Sequence, residues 1–258
     1  MLIDTHCHLD FDRFDEDRDE VVARARAAGV NRIIVPAIDP SNFAKVISLT
    51  EQYDGVYAAI GVHPNSTAGW EDGWLAQIRA LAAHEKVVAI GEIGLDYYWD
   101  RSPKEVQHHA FSSQLALAAE LDLPVIVHNR DSSDDVVRLL AESPLAGRER
   151  PGVLHSFSAP PATAEAVLAL GFYLGFTGPL TFKKADDLRA IAAKVPLDRL
   201  LVETDAPFLT PHPYRGKPGG PYLTPITARM LAGVRGMNAG DLAEAVWANA
   251  ETALGGWD

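Results

Sequence analysis

Apolar residues fall in eight short runs along this chain, and each run is followed by a stretch whose apolar positions recur at helical spacing. The runs predict strands at Leu2–His8, Arg32–Ala37, Tyr57–Val62, Val87–Glu92, Val125–His128, Val153–His155, Phe172–Phe176 and Leu200–Thr204. Their near-continuous apolar character suits a parallel sheet covered on both faces. Eight strands, each with a following helix, predict an α/β fold of the (β/α)8 TIM-barrel type. An open, doubly wound sheet is the alternative. It is weakened because no glycine-rich nucleotide fingerprint follows the first strand.

Helix boundaries agree with this count. Asp39-Pro40 places a cap and a first-turn proline ahead of Phe43, Val46 and Ile47, and Thr224-Pro225 opens a later helix in the same way. Ser102-Pro103-Lys104-Glu105 has the form of a capping box. Gly29 and Gly171 stand where helices end, and Asn238 with Asp241 predicts a last helix closing near Ala250. Thr210–Leu223, rich in Pro and Gly, reads as a long loop after the eighth strand.

Size and charge narrow the function. The 258 residues fit one barrel domain over 1–258, since such barrels typically need about 250. The N-terminus lacks the basic and apolar regions of a signal peptide, and no apolar run is long enough to cross a bilayer, so the expected location is the cytoplasm, without a membrane partner. The single cysteine, Cys7, excludes an intrachain disulfide. A formal net charge of −12 argues against binding nucleic acid by a general basic surface. Any attraction for phosphates must be local, from bound cations and a few Lys and Arg.

The predicted strand ends carry the chemistry. Alternate residues of a strand face one side, so His6 and His8 point together and Cys7 away. Strand ends also present His63, Glu92, His128, His155 and Asp205, so five of the nine histidines lie on the face where barrel active sites are built. His84, His108, His109 and His212 lie elsewhere and read as surface or packing residues. Four histidines, one glutamate and one aspartate can hold two divalent ions. Glu92 would bridge them, His6, His8 and Asp205 would complete one site, and His128 and His155 the other. Two ions roughly 3.5–4 Å apart activate water and stabilise the oxygens of an in-line displacement. Asp205 can take the water's proton as general base.

These residues sit in motifs that resemble the TatD family of deoxyribonucleases. They are His6-Cys7-His8-Leu9-Asp10, Gly61-Val62-His63-Pro64, Gly91-Glu92-Ile93-Gly94-Leu95-Asp96-Tyr97, His128-Asn129-Arg130 and Glu203-Thr204-Asp205-Ala206-Pro207, with Ser156-Phe157-Ser158 and Phe176-Thr177-Gly178 fitting the same pattern. The resemblance runs from the second residue to the last helix, and the motifs in this order are far more specific together than singly. It implies a barrel of the wider metal-dependent hydrolase superfamily, acting as a DNase, often a 3′→5′ exonuclease on single-stranded DNA ends, with Mg2+, Mn2+ or Zn2+. It also implies metal ligation by His6, His8, Glu92, His128, His155 and Asp205. Two positions depart from the family pattern. Ser156 stands where relatives commonly carry Cys, and Gly219-Gly220 where they often carry Asn and an acidic residue.

The remaining candidates have competing roles. His63 binds a phosphate or the bridging water, or only packs beside Pro64. Glu203 and Asp4, one layer below Asp205 and His6 by strand parity, are partners of ligands or members of structural ion pairs. Asp96 fixes the loop after the fourth strand. Arg130 suits bidentate phosphate binding, with a salt bridge to Asp131 as competitor. Lys183, Lys184, Arg215 and Lys217 line the substrate path or are simply solvated. Tyr97-Tyr98-Trp99 stack bases or pack their loop. Two rival functions remain. One is hydrolysis of an amide, lactone or phosphotriester by the same superfamily, in a class that often bridges its ions with a carbamylated lysine where this chain has Glu92. The other is a non-catalytic, metal-holding scaffold, which a full ligand set argues against.

Overall fold

The computed structural model describes residues 1–71, 73–255 and 257. Strands β1 (Leu2–Asp4), β2 (Val30–Pro36), β3 (Val56–Ala59), β4 (Val87–Asp96), β5 (Val125–Arg130), β6 (Gly152–Leu154), β7 (Tyr173–Phe176) and β8 (Leu200–Val202) pair in chain order. All seven ladders between them are parallel. Beyond its paired edge β8 returns to β1. The Asp205 N–H donates to the His6 carbonyl at 2.9 Å, the His8 N–H donates to the Ala206 carbonyl at 2.8 Å, and Cys7 bridges Ala206. The cylinder is therefore the expected (β/α)8 barrel.

Helices α1 (Arg18–Ala27), α2 (Phe43–Gln52), α3 (Gly73–Leu81), α4 (Lys104–Glu120), α5 (Ser133–Glu142), α6 (Pro161–Ala169), α7 (Asp186–Lys194) and α8 (Thr224–Arg235) each follow a strand, and α9 (Ala239–Leu254) closes the chain. The alternation of the strands divides the core in two. Residues such as Ile33, Val127, Leu154, Leu174 and Val202 pack outward beneath the helices. Ile3, Ile34, Val88, Ile126, Val153, Tyr173 and Leu201 fill the interior with Ala253, Leu254 and Trp257. This plug explains why α9 runs past the expected Ala250, because its last apolar residues stop the bottom of the barrel.

Local signals hold with two exceptions: Thr224 is the first residue of α8 and not its cap, its hydroxyl donating to the Pro221 carbonyl at 2.7 Å, and the capping box at Ser102 is the other. The Asp39 carboxylate accepts from the Ser41 N–H at 2.9 Å and Asn42 closes a reciprocal cap ahead of α2. Asn238 caps α9, and Gly29 and Gly171 take φ of +85° and +91° after α1 and α6. The capping box at Ser102 does not form. Pro103 precedes α4 without a side-chain cap, and the Ser102 hydroxyl pairs with that of Thr67 at 2.7 Å instead.

Strand ends differ from the periodicity in two instructive places. The predicted strand Leu2–His8 is regular only to Asp4, because the Asp4 carboxylate takes the His6 N–H at 3.3 Å and lifts the chain off its ladder. The alternation shifts there, so that Ile3 lies in the inner core and Cys7 in the outer. Conversely, β4 continues past Glu92 to Asp96, with an irregular register against β5 between Ile90 and Ile93. An added residue of this kind re-aims side chains beside functional sites. Gly94 lets the two strands meet there. It has φ +140°, and a Cβ on it would lie 2.1 Å from the His128 carbonyl oxygen.

Candidate metal centre

The barrel mouth gathers His6, His8, His63, Glu92, His128, His155 and Asp205 into one cluster with Glu92 at its middle; His6, His8, Glu92 and His155 are buried and the other three partly so. Its carboxylate divides the histidines. Oε2 lies 3.4 Å from His6 Nε2 and 3.7 Å from His8 Nε2. Oε1 lies 2.8 Å from His155 Nε2, 2.9 Å from His128 Nδ1 and 3.6 Å from His63 Nε2. Asp205 Oδ1 approaches His8 and His6 Nε2 at 3.5 and 3.7 Å. The donor atoms converge as three overlapping sets: His6–His8–Asp205, His6–Glu92–His155 and His63–Glu92–His128.

The sequence groups His128 with His155, and these are neighbours, with ring nitrogens 3.4 Å apart. The ring stacked on His155, however, is His6, at 3.9 Å. His6 thus stands between the two halves of the cluster. Cys7, as its facing predicts, is buried in the outer core away from them.

Electrostatics explain why a cation fits. Burial disfavours ionised Glu92, yet His155, His63, His6 and His128 around it hold the carboxyl well below its usual value. Asp205 is likewise depressed, the His8 contact and nearby imidazoles outweighing burial. Burial is opposed at His8 by Asp205 and Glu92, and at His128 by Asp96 and Glu92, and both rings rise to about 9. Burial and the neighbouring His155 push His6 down to about 4. Imidazole lone pairs and carboxylate oxygens crowd one small space, and protons or cations between them relieve the mutual repulsion. Nitrogen and oxygen donors in this combination suit Zn2+-like or Mn2+-like ions.

His63 differs from its neighbours. Its Nδ1 accepts the Asn65 N–H at 3.1 Å, which places the proton of the neutral ring on Nε2. Burial lowers this histidine to about 3, so the ring is neutral. A protonated Nε2 facing Glu92 is a hydrogen-bond donor for a water or phosphate oxygen and not a lone pair for a metal.

Partner residues fix the donors. Asp96, read from sequence as a loop anchor, does accept from the Tyr98 and Trp99 N–H groups through Oδ1 at 3.0 and 3.1 Å. Its Oδ2 lies 3.1 Å from His128 Nε2 and accepts from Asn65 Nδ2 at 3.1 Å. Asp96 is thus the carboxylate behind His128, turning Nδ1 toward Glu92. The sequence missed this because the predicted strand ends at Glu92, whereas β4 runs on to Asp96 and keeps Asp96 on the ladder beside β5.

Glu203, read from sequence as a ligand's partner or an ion-pair member, accepts from the Thr5 hydroxyl at 2.9 Å and the Ser156 N–H at 2.5 Å, with His155 Nδ1 at 3.8 Å. Asp4 does not stand behind the His6 ring. It binds the backbone N–H groups of His6 and Thr204 and the hydroxyls of Thr204 and Thr224, tying β1, β8 and α8 together. The shifted alternation after Asp4 is the cause. Burial raises both carboxyls to about 7.

The rim residues stand apart from the cluster. The Arg130 guanidinium lies 3.9 Å from the centre of the Tyr98 ring and 5.9 Å from that of Trp99. No ion pair of Arg130 to Asp131 forms among the described residues. Arg215 stacks on Phe182 at 4.3 Å, and Lys183 is exposed. Neither has a hydrogen bond or ion pair to the cluster among the described residues. A cavity of about 520 Å³ opens beside β5, but Asp131, Asp134 and Asp135 line it with Arg130, which makes it unfavourable for a phosphate.

Comparison with known proteins adds four findings. Residues 3–255 match the family model described as TatD related DNase. The chain is 44% identical to the uncharacterized metal-dependent hydrolase YabD of Bacillus subtilis, across 97% of this chain and 98% of that one. It is 40% identical to the 3′-5′ ssDNA/RNA exonuclease TatD of Cronobacter sakazakii, across 84% of this chain and 82% of that one. The crystal structure of the TatD homologue YjjV from Escherichia coli superposes with a TM-score of 0.92 at 38% identity, covering 98% of this chain and 97% of that one. Among the described residues, no helix is long and apolar enough to cross a membrane.

Proposed function

The chain belongs to the TatD-related DNase family of metal-dependent hydrolases, and from that premise we propose that it removes nucleotides from the 3′ ends of single-stranded DNA, using two divalent ions and an activated water. The supporting observation is the division of the Glu92 carboxylate, one oxygen toward His6 and His8 and the other toward His128 and His155. A carboxylate so shared suits a bridge. His6, His8 and Asp205 would complete one ion's shell, and His128 and His155 the other's. When bound, divalent ions supply positive charge for the scissile phosphate and make water acidic enough to attack near neutral pH.

This chain's residues do the rest. Asp205, held ionised by its imidazole neighbours, accepts the proton of the attacking water. His63 donates its Nε2–H to a phosphate oxygen or to that water. Arg130, whose guanidinium has no hydrogen bond or ion pair among the described residues, grips a neighbouring phosphate, while Lys183 and Arg215 on the loops after β7 and β8 meet the trailing strand. The name borne by the Cronobacter relative, with single-stranded DNA and RNA as substrates, supports the same reading. Local cations at the mouth also reconcile a polyanionic substrate with a net charge of −12.

Glu92→Gln tests the bridge. The amide cannot offer two anionic oxygens, so metal content measured by elemental analysis should fall, and DNA hydrolysis with it. A variant that keeps its full metal content refutes the bridging assignment.

A further inference from the structure

We propose that Phe208 forms a stacking platform for an unpaired nucleobase beside the scissile phosphate, and that this subsite selects single-stranded ends. The inference rests on the phosphodiesterase reading above and adds a residue that reading does not use. Four of the large apolar side chains left exposed, Tyr98, Trp99, Phe208 and Tyr214, lie on the loops after β4 and β8 at the barrel mouth. Phe208 is the one tied to the cluster itself. Its N–H donates to the Asp205 carbonyl at 2.9 Å, so one turn sets both the carboxylate and the ring.

The ring is braced on one side only. It meets Phe11 edge-on at 5.7 Å, and Phe11 stacks on His8 at 4.8 Å. Phe208 itself lies 6.3 Å from the His8 ring, centre to centre, yet remains 51% exposed. A phosphate held at the His8 side of the cluster therefore has an open aromatic surface about one nucleotide's reach away. Every base has a flat face, so stacking there is tolerant of sequence. It also needs no positive charge, which matters in a chain that repels phosphates beyond its metal centre. A base inside a duplex has both faces covered and cannot use the ring.

The experiment compares the native protein with Phe208→Ala and Phe208→Trp, each loaded with Mn2+ and checked for unchanged melting and metal content. The substrates are an oligothymidylate and the same oligomer with its two 3′-terminal nucleotides abasic. Stacking on one base changes affinity by roughly 5- to 150-fold. Phe208→Ala should lose that factor in kcat/KM on the oligothymidylate, mainly through KM, and lose little on the abasic oligomer. Phe208→Trp should restore the difference. Equal losses on both oligomers would show that the ring only braces Asp205 and His8. No loss on either would leave Phe208 a solvent-exposed or protein-docking residue. Both results overturn the subsite. Failure of the native protein to cleave either oligomer overturns the phosphodiesterase reading and the subsite with it.

Discussion

Changing Asp96 to Asn removes one oxygen's worth of charge and almost no volume, and its effect should be felt at His128. All the acceptor capacity of Asp96 is in use. Oδ1 takes the Tyr98 and Trp99 N–H groups, and Oδ2 takes Asn65 and faces His128 Nε2. An asparagine amide must turn its NH2 toward one of these donor pairs. If it faces His128, the proton is driven from Nε2 to Nδ1, the atom 2.9 Å from Glu92 that would otherwise bind metal. If it faces the loop, the Tyr98 and Trp99 N–H groups lose their acceptor. Mutation of a carboxylate behind a metal-bound histidine typically costs 10–100-fold in metal affinity, or about 1.4–2.7 kcal/mol. The assay is chelator competition with Zn2+ or Mn2+, read at each binding step. One step should weaken by that factor while the step belonging to His6, His8 and Asp205 changes little. Equal affinity at both steps in variant and native protein would refute the role of Asp96.

Two further outcomes follow from the same cluster. In Gly175→Ala a Cβ would fall 2.5 Å from both Glu203 oxygens, which are buried and engaged by Thr5 and Ser156. Overpacking of this kind costs about 1–3 kcal/mol, roughly 2–4 °C of Tm per kcal/mol in a chain near this size, and an unchanged melting curve would show that β7 yields without strain. The second outcome concerns pH. Without metal, His8 and His128 have folded values near 9, above the ordinary value, so their contribution to stability is complete below about 6.5 and is lost as pH rises through 9. Metal needs both rings deprotonated, so the metal-free Tm should fall between pH 7 and 9 while the increment on adding Zn2+ grows. An increment independent of pH in calorimetric melts would contradict metal binding by these two rings.

The barrel and its mouth were legible because they depend on short-range alternation. Apolar runs of three to seven residues located all eight strands, and residues at or just past their ends named each member of the histidine–carboxylate cluster. What escaped depends on tertiary contacts and on local turn and strand geometry that alternation does not encode. Nothing near Asp4 announces that its carboxylate will bind Thr204 and Thr224 and displace the strand alternation before His6. The role of Asp96 depends on β4 running on past Glu92, and the tautomer of His63 on a turn that brings back the Asn65 N–H. Phe208 looks like an ordinary loop aromatic until Phe11 and His8 are seen beside it. Ser102 shows the opposite error, a sound local motif overridden by a tertiary partner, Thr67.

The most direct test of the central claim is release of label from 3′-labelled single-stranded DNA, after chelation and re-addition of Mg2+, Mn2+ or Zn2+, with Asp205→Asn in parallel. The account predicts no release after chelation, recovery with at least one ion, and a loss of roughly 100-fold or more in the variant, in line with removal of a general base. A folded, metal-loaded native protein that releases no nucleotide, or an Asp205→Asn variant that works at the native rate, would contradict it.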